Sequence, residues 1–155
     1  MRHHLILLVA FSVTVPAFAQ TPPANGDQAA TITFARDAAV RALEFHQGDL
    51  ASLTDARADF TAEGWNAFLK HMHGWLDSTG APTFSSSFVP TRDARLVWEE
   101  SGVLHIRIPG TLKQTQSTST TTYGHSAIEV QVAGKPPKVR HLEQITCGSD
   151  AAPCQ

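Results

Sequence analysis

Histidine is the residue type in this chain best suited to hold a metal ion or move a proton, and eight histidines occur in 155 residues. Their spacing argues against a metal site. His71 and His73 stand two apart in a helical stretch, so their rings point about 200° apart and cannot close on one ion. His105, His125 and His141 fall in stretches of strand character, where positions distant in sequence can meet across a sheet. No cysteine or carboxylate accompanies them at a zinc-ligand spacing. They read as sheet-face histidines, and no metal site and no cofactor is expected. A glycine-rich phosphate loop, a nucleophile elbow and a paired Cys–His nucleophile are all missing from the sequence.

The elements that must position any site fall into two halves. A first helix is expected from about Thr31 to Gln47, with Phe34, Ala38, Ala42 and Phe45 along one side and Ala35, Ala39 and Leu43 flanking them. That side is small enough to let another element come close, and Gly48 supplies the stop. Asp49 can cap a short second helix through Leu50 and Leu53 to near Asp59. A third helix runs from Ala62 to about Asp77, where Ser78 to Pro82 break it. After Pro82 the period becomes that of strands. Phe84 to Val89 alternate, and Ala94, Leu96 and Trp98 alternate with Arg95 and Glu99. Leu104, Ile106 and Ile108 alternate with His105 and Arg107, and Ile128, Val130 and Val132 form a further run before a last strand over Val139 to Thr146. Helices first and an antiparallel meander second predict an α+β fold: N-terminal helices packed on a curved antiparallel sheet.

Arg2 with His3 and His4, then the apolar run Leu5 to Val15, then Pro16-Ala17-Phe18-Ala19, have the layout of an export signal. The run is shorter than the roughly 20 residues of a membrane span. Cleavage after Ala19 is expected, giving residues 1–19 as signal peptide, 20–30 as a flexible leader, 31–147 as a single exported domain and 148–155 as a tail. Membrane association is expected only if the leader stays uncleaved. Removing Arg2 takes the net charge from −2 to −3 with histidine neutral. The charges are interspersed, with no basic stripe to track a phosphate backbone, so nucleic acid is not an expected partner. In an oxidising compartment Cys147 and Cys154 are expected to pair as a disulfide clasping a short loop of the tail.

The third helix opens with the most informative block of the chain, Phe60-Thr61-Ala62-Glu63-Gly64-Trp65-Asn66-Ala67-Phe68-Leu69. Thr61 is suited to cap the helix and Phe60 to staple back onto its first turn. Glu63 lies where the dipole favours a carboxylate. Trp65, Phe68, Leu69, Met72, Trp75 and Leu76 make the stripe of a core-facing helix. Gly64 costs about 1 kcal/mol in a helix relative to alanine, so its presence points to close packing against another backbone.

From Asp59 to Lys70 this block resembles the "YFTPEGWxxFLxAL" signature of the DotI/IcmL family, inner-membrane components of type IVB secretion systems with relatives in conjugation. Leu53 to Arg57 is similar to the family's preceding helix, Val103 to Pro109 to its "YxWxVxxP" strand, and Val139-Arg140 with Glu143-Gln144 to its closing strand. The resemblance spans Thr31 to Thr146. It implies a cone-shaped periplasmic domain of the nuclear transport factor two class. It also implies a non-catalytic role among other subunits of a secretion or envelope complex, with homo-oligomers among the arrangements open to it. The cleavable leader departs from the membrane helix that family members usually carry.

Two other functions stay open. A cone can enclose a cavity lined by Trp65, Phe68 and Trp75 that binds a small apolar ligand. Its mouth can also hold an acid–base site, for which Asp37, His46 and Asp59 are the candidates by position. The threonine-dense run Thr111 to Thr122 reads as a long hairpin or a solvated sheet edge. In the latter case Thr118, Thr120 and Thr122 would mark an edge open to strand addition by a partner.

Overall fold

A computed structural model of the chain describes residues 26–46, 50–79, 84–116 and 119–146. The export signal, most of the leader, the tail with Cys147 and Cys154, Thr118, and Gly48 with Asp49 lie outside the described residues. Among the described residues, no helix is long and apolar enough to cross a membrane.

Three helices precede five of the six strands. Helix α1 spans Gly26–Leu43, α2 spans Leu50–Arg57 and α3 spans Ala62–Thr79, with a two-residue strand β1 at Phe45–His46. The remaining strands are β2 (Phe84–Pro90), β3 (Arg95–Glu100), β4 (Val103–Gln116), β5 (Ser119–Ala133) and β6 (Lys138–Thr146). All strand pairs are antiparallel, in the order β1-β2-β4-β5-β6, with β3 also on β4. The architecture is α+β, with the helices against a curled antiparallel sheet.

Helix α1 begins at Gly26 rather than Thr31, so the leader's last residues belong to it. Asp27 stands in its first turn, where the dipole favours a carboxylate, and Thr31 and Thr33 bond back to the carbonyls of Asp27 and Ala29 at 2.9 and 3.1 Å. Its end also differs. Glu44 makes a last helical bond to Val40, and Phe45 leaves the helix to pair with Ser86 of β2. The buried face of α1 is Ala35, Ala38, Ala39, Ala42 and Leu43, while Phe34 is only partly buried. A face of methyl groups lets the helix axis come close to the sheet, whose Ile106, Ile108, Ile128, Val130 and Val132 close the core from the other side.

Strand β3 departs from the simple alternation. The register steps from Leu96 opposite Ile106 to Trp98 opposite His105, leaving Val97 as an extra residue. Such a bulge reverses the facing of every residue beyond it in the strand. Trp98, expected beside Leu96 on the core side, therefore stacks on the His105 ring, centroids 4.1 Å apart, and is 41% exposed. The threonine-dense run resolves into the long β4–β5 hairpin. Its first half lies between β2 and β5, and Thr115 and Thr120 share a 3.1 Å hydroxyl bond across it.

Candidate functional site

The family-like block is built around the start of α3. The Gly64 amide donates to the Thr61 hydroxyl at 3.0 Å, the Trp65 amide to the Thr61 carbonyl at 2.9 Å. Thr61 is thus the N-cap of α3, satisfying donors that would otherwise be orphaned. Phe60 meets Trp65 edge-on at 5.4 Å, and Phe68 lies 5.5 Å from both rings. Phe60, Trp65 and Phe68 are buried and Leu69 is partly so. The same segment is joined to the sheet by its main chain. Thr61 donates to the Val139 carbonyl at 2.9 Å and the Val139 amide donates to the Asp59 carbonyl at 2.8 Å, a parallel bridge between Phe60 and Val139. Gly64 then seats α3 on β6, since a Cβ there would fall 2.7 Å from the carbonyl oxygens of Val139 and Arg140.

Past Gly64 the helix and the strand separate. Between Ala67 to Met72 of α3 and His141 to Gln144 of β6 opens a groove of about 800 Å³. Leu43, Phe68, Leu112 and Ile128 line its floor, and Lys70, His71, His141 and Glu143 lie along its walls. It is partly open to solvent, and Phe68 is the described aromatic residue that lines it. Trp65 packs instead against Phe60, and the side chain of Trp75 lies outside the described residues. The enclosed aromatic cavity expected for a small apolar ligand therefore has the form of a cleft.

A second cluster lies on the sheet face turned away from the core. Glu129 and Arg107 are direct cross-strand partners, with the Arg107 guanidinium 2.9 Å from the carboxylate. The Glu129 side chain is only 6% exposed, and His105 Nδ1 stands 3.5 Å from its other oxygen. Trp98 covers His105 from the β3 side. The register that pairs Arg107 with Glu129 is invisible in sequence, because the two are 22 residues apart.

The structure separates the acid–base candidates. Asp37 is half-exposed beside Arg36 at 3.7 Å. His46 is exposed beside Glu44 at 3.5 Å. Asp59 binds Arg41 of α1 at 2.8 Å, fixing the α2–α3 junction to α1. These three do not share a pocket. His105 and His141 both stand opposite Gln131 in register, so a whole strand lies between them and they are about 10 Å apart across the sheet. The His125 side chain lies outside the described residues, and no cluster of metal-ligating residues occurs among the described ones. Thr120 is exposed on the hairpin and Thr122 pairs with Lys113. Sequence reasoning names Phe68 for a cavity but misses the rest of the lining, whose walls come from a helix and a strand about 70 residues apart (by the numbering of their lining residues).

No protein-family model and no curated protein matches the amino-acid sequence. Solved structures do match by shape. The periplasmic domain of DotI superposes with a TM-score of 0.64 at 17% identity, covering 84% of this chain and 99% of that one. An IcmL-like type IV secretion system protein from Legionella pneumophila gives 0.62 at 14% identity over 85% of this chain and 99% of that one. A periplasmic fragment of TraM gives 0.54 at 14% identity over 77% of this chain and 98% of that one. The capped α3, its seat on β6 and the curled sheet are thus parts of a DotI/IcmL-like fold, and that fold is the one this chain adopts.

Proposed function

We propose that this chain is an exported, periplasmic component of a type IV secretion or conjugation envelope complex, and that it acts by binding other protein subunits rather than by catalysis. The observation that carries this reading is the shared fold, which extends over nearly all of the DotI, IcmL-like and TraM pieces. The Phe60–Leu69 block supports it from the sequence side, because its signature residues are the ones that cap α3 and seat it on the sheet. The scattering of Asp37, His46 and Asp59 into separate surface pairs favours binding over acid–base chemistry.

On this reading residues 1–19 are removed after Ala19, the domain works in the periplasm, and Cys147 and Cys154 close the tail as a disulfide. Thr118, Thr120 and Thr122 are a further place for subunit contact, and self-association is one of the contacts open to the domain. Crosslinking in intact cells followed by purification of the chain tests the proposal. Recovery with subunits of a secretion or conjugation apparatus is expected. Intact DNA or effector transfer in a deletion strain, together with no such subunit recovered, would overturn it.

A further inference from the structure

The groove between α3 and β6 has the parts of a strand-addition site. Four consecutive residues of β6, His141 to Gln144, line it, so the groove runs along the strand. Strand β5 pairs with one side of β6. On the other side the described structure supplies only the Asp59–Thr61 segment, which bonds to Val139 and then turns into α3. The chain itself therefore shows that the main chain of this edge accepts a partner at Val139, through a single parallel bridge.

The alternation of β6 says which groups are left. Val139 faces the core opposite Val132 and turns its amide and carbonyl to Asp59 and Thr61. The register then skips one residue, Arg140, before His141 pairs with Gln131. Beyond that bulge Leu142 and Gln144 share the core side, opposite Val130 and Ile128. Residues on one face of a strand turn their main-chain groups to the same edge. Leu142 and Gln144 thus direct theirs into the groove. The opposite wall is a helix on which one lining residue, Ala67, is small and exposed. The floor of Leu43, Phe68, Leu112 and Ile128 suits apolar side chains, and Lys70 places a cation on the helix wall.

We propose that this groove binds an extended peptide segment of a partner subunit as an added strand on β6. The segment carries apolar side chains at alternate positions, directed onto the floor, and an acidic group that meets Lys70. Main-chain bonds to Leu142 and Gln144 supply the common part of the affinity, and the floor supplies selection. His141 to Thr146 provide room for a strand of about 20 Å at the usual rise per residue. This rests on the reading of the chain as an interaction module and names the surface it uses.

Random heptapeptides displayed against the full-length exported protein test the proposal, with the enriched peptides then measured by fluorescence anisotropy. Enrichment of sequences with period-two apolar residues and an acid is expected. Two variants close the groove differently: Ala67→Trp fills it from an exposed position, and Gln144→Pro removes an amide from the open edge, where proline is tolerated. Each is expected to weaken binding about tenfold or more while the melting temperature stays within a few degrees. Loss of folding in Gln144→Pro leaves Ala67→Trp as the deciding variant. No period-two enrichment, or enriched peptides that bind Ala67→Trp as tightly as the parent, would overturn the proposal. Recovery of the same secretion subunits by Ala67→Trp would overturn the groove while leaving the secretion role standing. Failure of the parent chain to recover any such subunit counts against the secretion role alone, since the peptide measurement still judges the groove.

Discussion

Gly64 of α3 lies directly against the main chain of Val139 in β6, with space for a hydrogen and none for a methyl group. This contact sets the angle at which α3 leaves the sheet, and hence the groove beyond it. An alanine at this position would gain about 1 kcal/mol of helix propensity. It would also place a carbon 2.7 Å from two carbonyl oxygens held in the sheet. Overpacking of that kind costs about 1–3 kcal/mol. Gly64→Ala is therefore expected to lower the urea midpoint with an unchanged slope. A raised midpoint would show that β6 moves aside freely.

Thr61 caps the same helix. Thr61→Ala is expected to cost about 1 kcal/mol, while Thr61→Ser, which keeps the hydroxyl bond to the Gly64 amide, retains most of it. Equal losses in the two variants, read by thermal unfolding, would assign the effect to the threonine methyl group instead.

The ion pair on the outer sheet face gives a prediction with two arms. Glu129→Leu leaves the Arg107 guanidinium beside a buried apolar group and is expected to cost about 3 kcal/mol. Replacing both partners, Arg107→Met with Glu129→Leu, is expected to recover most of that loss, because no charge is then left unmatched. A double variant as unstable as the single one would mean that the pair itself, rather than its desolvation, stabilises the sheet.

The leader is tested by the mass of the exported protein. An N-terminus at Gln20 is expected, and retention of Met1 to Ala19 would indicate an anchored chain.

Much of α3 is legible in sequence because its signals are local. The cap, the staple and the apolar stripe lie within a few turns, and Gly64 declares a close neighbour without naming it. The limits of α1 are less legible. Thr31, the expected start, lies inside the helix, and its hydroxyl bonds to the carbonyl one turn earlier. Phe45 fits the helical stripe, but pairing with Ser86 draws it into a strand. Alternation alone puts Trp98 on the core face. A single bulge at Val97 reverses that parity, and a bulge leaves no mark in composition. The groove and the Glu129–Arg107 pair depend on strand register and on where a helix diverges from a strand. Those are tertiary facts, and the carbonyls that seat Gly64 lie about 75 residues away in sequence (by their numbering).

The central claim is that the domain is a subunit of an envelope secretion complex. A photo-crosslinking residue at an exposed position of the described fold, such as Ala67, followed by purification from membranes and periplasm, tests it most directly. The account predicts a discrete crosslinked product containing a secretion or conjugation subunit. A chain recovered without crosslinks, in cells whose transfer function survives its deletion, would contradict it.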